Sequence, residues 1–125
     1  MARPRAATPT NRTAGNVLIR ETLRKIRSRA NAVDLALKQA NQAEPEVVLA
    51  KLAEVRQAYL DLDQLCLELA GAAMLGGYTA EEVKGATGIG TATLTRRVPR
   101  SLAALRGKHL VRDHDAPHGW REDSS

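Results

Sequence analysis

Apolar residues recur at spacings of four and three along two long stretches, and this repeat restricts the chain to a small set of folds. In the first stretch, from Asn16 to about Gln42, the row consists of Ile19, Leu23, Ile26, Ala30, Val33, Leu37 and Ala40. In the second, from about Pro45 to Leu75, it consists of Val48, Leu52, Val55, Tyr59, Leu62, Cys66, Leu69 and Ala73. Heptad spacing of this kind predicts two long helices, each with a narrow apolar seam.

The pair Glu44-Pro45 separates the two stretches, because proline is favoured in the first turn of a helix and disfavours helix in the residue before it. Two heptad helices joined by a short linker fold back as an antiparallel hairpin. The alternative is that each helix pairs with its counterpart in a second copy. The second helix also carries another apolar row, Leu49, Leu60 and Leu67. One partner helix does not cover both rows, so we expect residues 45–75 to hold a homodimer.

The composition agrees with a helical fold and a core of small aliphatic residues. The chain has 125 residues with no Phe, one Trp and two Tyr, so Leu, Val, Ile and Ala must supply the core. No apolar run approaches the ~18 residues of a membrane span, and the basic N-terminus lacks the apolar segment of a secretory signal. We therefore expect a cytoplasmic, nucleoid-associated protein that does not bind membranes.

The net charge of +5 is unevenly distributed along the chain. Basic residues dominate 1–29 and 96–112, whereas acidic residues dominate 30–95 and the tail over 113–125. Two basic blocks around an acidic centre are typical of a protein that binds a polyanion with its ends and another partner with its centre.

The stretch from Gly77 to Pro99 predicts two short helices joined by a tight turn. Thr79 and Glu82 have the spacing of a capping box, which places the start of the first helix, 79–87. Its inward positions are Val83 and Ala86. Glycine is favoured at a left-handed turn residue, so Gly88 marks the turn.

The second short helix is predicted over 91–98, with Thr91 as its N-terminal cap. Leu94 and Val98 face inward, and Ile89 fills the space between the two helices. Two short helices joined by a turn of three or four residues that contains glycine form a helix-turn-helix unit.

These residues resemble the helix-turn-helix of bacterial and phage DNA-binding regulators, including sigma-factor-like proteins; the register rests on Gly88, Ile89 and Leu94. The resemblance implies that 91–98 lies in the major groove. It further implies that base edges are contacted by Gly90, Thr91, Ala92, Thr95 and Arg96. Further basic residues are better suited to phosphates, which fix register without specifying sequence: Arg97, Arg100, Arg106 and Lys108.

The two ends of the chain carry weaker signals. Residues 1–15 contain Pro4, Pro9 and several arginines, and they are predicted to be a disordered basic arm. The arm either follows DNA phosphates or only keeps the protein soluble. Residues 108–125 resemble the β-hairpin wing of winged-helix regulators, and a flexible tail is the alternative for this segment.

The sequence contains no recognisable motif for a disulfide, a metal site or a catalytic site. Cys66 has no second cysteine to pair with and is predicted to be a buried, inert thiol. The histidines and aspartates over 109–118 match no common zinc spacing, so we predict neither a metal nor a cofactor. No phosphate-binding loop or nucleophile motif occurs, so we predict that the protein is not an enzyme.

The sequence therefore predicts a mainly α protein, with a helical hairpin over 16–75 that dimerises and a helix-turn-helix over 76–107 that binds double-stranded DNA. The predicted function is sequence-specific DNA binding as a dimer, acting as a transcriptional regulator. Three alternatives stay open: a component of plasmid or phage DNA maintenance, a DNA-packaging component, and a helical adaptor that binds only proteins.

Overall fold

The structure is a computed structural model that describes residues 6–124, and it is mainly α-helical. The predicted antiparallel hairpin is present, as are a set of short C-terminal helices and a small antiparallel β-hairpin. The elements in chain order are α1 (Pro9–Ala40), α2 (Pro45–Leu75), α3 (Ala80–Thr87), α4 (Thr91–Arg97), α5 (Arg100–Ala103), β1 (Leu110–Arg112), a single 3-10 turn (Pro117–Gly119) and β2 (Trp120–Glu122). Within residues 6–124, no helix combines the length and the hydropathy that crossing a membrane requires.

Helix α1 begins at Pro9 and not near Asn16, which corrects the predicted disordered arm over 1–15. Residues 9–15 belong to the helix, and Ala14 and Gly15 within them are buried. The prolines misled the prediction, since proline is also favoured in the first turn of a helix, which is where Pro9 stands. The part of the predicted arm over 1–5 lies outside the described residues.

A buried asparagine fixes the start of α1 to the C-terminal part of the chain. Asn11 is fully buried, and its Nδ2 donates a hydrogen bond to the carbonyl oxygen of Lys108 at 2.7 Å. Its Oδ1 accepts the backbone N–H of Gly107 at 2.8 Å and that of Thr8 at 3.2 Å. Thr8 in turn caps the helix by accepting the backbone N–H of Asn11. Residues almost a hundred positions apart are thereby joined through one side chain.

Small residues bring the start of α1 and the end of α2 together. A Cβ atom on Gly15 would lie 2.8 Å from the carbonyl oxygen of Ala72, so the two backbones approach closely only because Gly15 has no side chain. Ala14 and Ala72 belong to the same buried cluster. Further from this contact, the buried residues of the hairpin are Ala36, Val55 and Ala58.

The predicted seam of α1 is only partly buried: Ile19, Ile26 and Val33 are half-buried, whereas Leu23, Ala30 and Leu37 are exposed. Leu23 is 50% exposed and Leu37 is 56% exposed, and in α2 Leu52 is 58% exposed. With 3.6 residues per turn, the heptad rows over 23–37 and 48–66 lie to one side of the contact between the helices. We call the surface formed by these two rows the open face; Val55 is its buried exception.

The hydrophobic core lies at the end of the hairpin that contains the start of α1 and the end of α2. Its larger members come from five elements: Leu18, Leu75, Leu102, Leu110 and Trp120. A second cluster packs the short helices against α2 and contains Ala70, Val83, Leu94 and Val98. We call residues 6–22 and 63–124 the head, and residues 23–62 the outer hairpin.

Candidate nucleic-acid interface

Helix α3 begins with the predicted capping box. Thr79 Oγ1 accepts the backbone N–H of Glu82, and Glu82 Oε1 accepts the backbone N–H of Thr79, both at 3.1 Å. Val83 is buried as predicted, but Ala86 is exposed, which corrects its predicted inward position. A helix of this length buries one narrow stripe, and Val83 with Ala80 occupies it.

A three-residue turn, 88–90, connects α3 to α4 as the sequence predicts. Gly88 has φ = +79°, a conformation that side chains with a Cβ rarely adopt, and its N–H donates to the carbonyl oxygen of Lys84 at 2.8 Å. The predicted cap at Thr91 is wrong. Gly90 occupies the N-cap position without a side-chain hydrogen bond, and Thr91 is the first residue inside the helix.

Helix α4 is held by its inward residues and presents the others to solvent. Leu94 is 1% exposed, and Val98, just after the helix, is also buried. On the outer side, Thr95 and Arg96 are exposed; Thr95 donates to the carbonyl oxygen of Thr91, and Arg96 Nε donates to that of Ala92. Within residues 6–124, Arg96 forms no ion pair.

The remaining predicted base contacts lie at the start of α4. Ala92 is exposed, whereas Gly90 and Thr91 are half-buried. The structure therefore places the predicted base-contacting residues on one short helix and its cap, with Ala92, Thr95 and Arg96 as the most accessible of them.

The predicted phosphate-contacting residues do not form one group. Arg97 bonds Asp63 of α2 through Nη2 and Oδ2 at 2.6 Å, and both side chains are largely exposed. Arg100 is exposed at the first position of α5 and forms no ion pair within residues 6–124. Helix α4 is thus attached to the hairpin by Arg97, while Arg100 extends the accessible positive charge beyond Pro99.

Arg106 and Lys108 lie in the loop after α5 and have structural contacts. Arg106 Nη1 donates to the carbonyl oxygens of Met74 and Tyr78, both at 3.1 Å, so it closes the connection between α2 and α3. Lys108 Nζ lies 3.6 Å from Glu122 Oε2. Neither contact could be predicted from local spacing, because the partners are far apart in the sequence.

The β-hairpin after α5 is packed against α1. Its strands pair Val111 with Arg121, and Trp120 is buried in the core. Arg112 bonds Glu21 at 3.0 Å and also lies over the Trp120 ring, 5.2 Å from its centroid. Arg121 bonds Asp113 at 3.0 Å. The two strand arginines are thereby neutralised by carboxylates.

Cys66 is exposed, which corrects its predicted burial. It lines a largely apolar cavity of about 630 Å³ between α2 and α3, together with Ile26 of α1 and Val83 and Ile89 near the turn. The heptad row that contains Cys66 faces this cavity because the hairpin is formed by other residues.

His118 and Asp113 of the tail are used in local contacts. Ser101 Oγ and His118 Nε2 share a hydrogen bond at 2.8 Å, which ties the loop of the β-hairpin to α5. Among residues 6–124, no three His, Cys, Asp or Glu side chains are arranged to hold a metal ion. No family model, curated protein or solved structure matches this chain. Function is therefore inferred from the side chains that the short helices present.

Proposed function

We propose that this chain is a sequence-specific DNA-binding protein that regulates transcription, with α4 as its recognition helix. The observation that supports this best is the pair α3 and α4 across a three-residue turn with a left-handed Gly88. Leu94 is buried beneath α4 while Arg96 is exposed on its far side. In helix-turn-helix proteins the second helix enters the major groove, and its exposed side chains meet base edges there.

Each exposed residue of α4 has a chemical role in this proposal. Arg96 lies two positions after Leu94, so it projects about 200° away from that buried residue. Its guanidinium can donate two hydrogen bonds to the O6 and N7 atoms of one guanine. The methyl groups of Ala92 and Thr95 can contact the C5-methyl group of thymine.

The basic residues divide into those that bind DNA and those that hold the fold. Arg100 follows Pro99 on a new helix, and its unpaired charge suits a phosphate contact that fixes register. Arg97 is attached to Asp63, so we assign it to orienting α4. Arg106, with its bonds to two backbone carbonyls, holds the connection between α2 and α3.

The test begins with selection of a preferred duplex from a random pool, followed by titrations of the preferred and a random duplex. Arg96→Ala should cost about 1–3 kcal/mol on the preferred duplex and less on the random one. Arg100→Ala should weaken both by similar factors and lower the slope of log K against log salt by about one. Lys38→Ala is the control, because Lys38 is an exposed cation near the tip of the hairpin that bonds Asp34.

Two outcomes would contradict the proposal. If no duplex is enriched and no binding occurs even at low salt, the protein does not act on DNA through this unit. If Arg96→Ala preserves the ratio of preferred to random affinity and Arg100→Ala abolishes it, the base-contacting surface lies beyond Pro99 and α4 is not the recognition helix.

A further inference from the structure

The open face leaves two heptad seams without a partner helix. Seams with this spacing are typical of helices that pack against other helices at a shallow angle. Within the chain, α1 and α2 instead meet through Gly15, Ala72 and other small residues. The exposed row of α1 and the exposed row of α2 lie side by side, since Ile26 and Cys66 line one cavity. A surface of two adjacent helices with unused seams fits two further helices.

The apolar area of the open face is close to what a stable interface needs. Such an interface covers roughly 800 Å² per partner, of which about 57% is apolar, or on the order of 450 Å². A leucine-sized side chain exposes on the order of 100 Å² when fully in water. Five large side chains of the open face are between 39% and 59% exposed: Leu23, Leu37, Val48, Leu52 and Tyr59. Together with the half-buried residues between them, they supply roughly 400 Å².

The charges along the two edges of the open face are complementary under a twofold axis. Arg27 and Asp34 lie seven residues apart on the outer edge of α1, with their midpoint between residues 30 and 31. Arg56 and Asp63 lie seven apart on the outer edge of α2, with their midpoint between 59 and 60.

These two midpoints are at the same level of the hairpin. Arg29 Nε lies 3.7 Å from Asp61 Oδ2, so these two residues are at the same level. Because the helices are antiparallel, each following residue of α1 lies beside the residue one position earlier in α2. Residues 30–31 therefore lie beside 59–60. A twofold axis through this level would place Arg27 against Asp34 of a second copy and Arg56 against its Asp63, the two carboxylates that also bond Lys38 and Arg97 of their own chain.

We propose that the open face binds a second copy of this chain in an antiparallel arrangement, forming a four-helix bundle from two outer hairpins. The contact is isologous, and in the antiparallel arrangement α1 packs on its own counterpart and α2 on its own counterpart. The two heads lie at opposite ends of the bundle. This proposal stands apart from DNA binding, because its measurements use no DNA.

The parallel arrangement would also oppose unlike charges, with Arg27 against Asp63 of the second copy. It is disfavoured sterically because α3 covers the head end of the open face, where Val83 and Ile89 line the cavity with Ile26. In the parallel arrangement two α3 helices would meet at that end. In the antiparallel arrangement, α3 of one copy faces the tip half of the other copy's α2 and does not meet a second α3.

The first test is sedimentation of the full chain at micromolar concentration. We expect a dimer whose dissociation constant rises at least about a hundredfold in Leu52→Glu, because a charge would be buried in the bundle. Leu35→Glu is the matched control: Leu35 is similarly exposed, at 56%, but lies on the opposite side of α1. It should leave the dimer unchanged, and circular dichroism should show both variants helical. A monomeric wild-type protein, or equal dissociation of the two folded variants, would overturn the proposal.

The second test distinguishes the two arrangements by disulfide formation. In a Cys66→Ala background, Ala30→Cys places a thiol at the twofold axis, where α1 meets its counterpart only in the antiparallel bundle. A disulfide needs Cα atoms roughly 4.4–6.8 Å apart, so we expect rapid cross-linking on oxidation. Ser28→Cys in the same background is the control, on the opposite side of α1, and should stay monomeric on a non-reducing gel. Cross-linking of Ser28→Cys but not of Ala30→Cys would contradict the antiparallel contact.

A charge exchange provides an independent check of register. Arg27→Asp alone should raise the dissociation constant roughly tenfold, because two copies of one ion pair become repulsive. Arg27→Asp combined with Asp34→Arg should restore it to within about threefold of wild type in the antiparallel bundle, since the same pair is re-formed with the charges exchanged. If the combined variant dissociates further than the single one, the parallel arrangement is correct and the proposal is wrong.

Discussion

The head and the outer hairpin are built from the same two long helices, yet they are stabilised differently. In the head, the short helices and the β-hairpin cover α1 and α2, and residues such as Leu75 and Leu102 are almost inaccessible to solvent. Over most of the outer hairpin the two helices have only each other, and Ala36, Val55 and Ala58 are its buried apolar residues. Two helices share one line of contact, so most of their remaining apolar surface stays exposed unless another element covers it.

Polar contacts follow the same division. The head contains the buried Asn11 network, two capping boxes and the bonds from Arg106 to backbone carbonyls. The outer hairpin has exposed ion pairs, such as Asp34 with Lys38 and Lys51 with Glu54. Exposed pairs contribute about 0–1 kcal/mol each, whereas buried hydrogen bonds are costly to break. The folding free energy of a single copy must therefore come mainly from the head.

The largest expected difference in the free energy of unfolding is between variants of two leucines, one in the head and one in the outer hairpin. Leu102→Ala should destabilise the protein by about 2–5 kcal/mol, because Leu102 is 2% exposed and its removal leaves a cavity in the core. Leu52→Ala, at 58% exposure, should cost less than about 1 kcal/mol in the monomer. Urea denaturation at a concentration where sedimentation shows monomer measures both. Equal losses would mean that the outer hairpin contributes as much to folding as the head.

A smaller effect is expected for two asparagines of α1. Asn11→Ala leaves the N–H of Gly107 without its partner, and the carbonyl of Lys108 keeps the Thr8 hydroxyl but loses the Asn11 amide, which should cost about 1–3 kcal/mol. Asn31→Ala changes an exposed position of the outer hairpin and should be neutral or slightly stabilising, since alanine is the better helix former. The denaturation midpoints of the two variants, compared with that of the wild type, measure these changes in stability. A neutral Asn11→Ala would show that water replaces the side chain.

The sequence predicts features that depend on neighbouring residues. Proline in a first turn placed the start of α2, a threonine-glutamate spacing placed the start of α3, and one glycine placed the turn before α4. The burial of Leu94 also followed from local periodicity. For this reason the fold class and the candidate recognition helix are both visible in the sequence.

Features that depend on distant residues were not predicted. The heptad spacing is the same whether a seam faces α2, the solvent or a second copy, so it could not identify the hairpin contact. That contact depends on Gly15 approaching the backbone of Ala72, a match between residues far apart in the chain. The candidate site could not be predicted in full for the same reason. An arginine such as Arg97 is suited to bind a phosphate, and only the fold brings Asp63 close enough to bond it.

The smallest expected changes in the free energy of unfolding come from substitutions at the N-termini of two helices. One helix begins in the head and the other at the tip of the outer hairpin. Thr79 caps α3 through a reciprocal hydrogen-bond pair, and Thr79→Ala should cost about 1 kcal/mol. Glu44 occupies the same position before α2 without a side-chain hydrogen bond. The shorter side chain of aspartate can reach the unpaired N–H groups of the first turn, so Glu44→Asp should stabilise the protein by up to ~1 kcal/mol, with the charge near the helix dipole unchanged. Denaturation in the monomeric concentration range measures both changes. A gain at Glu44 would show that the outer hairpin folds together with the head, whereas no gain, with a normal loss at Thr79, would show that the tip is already open when the head unfolds.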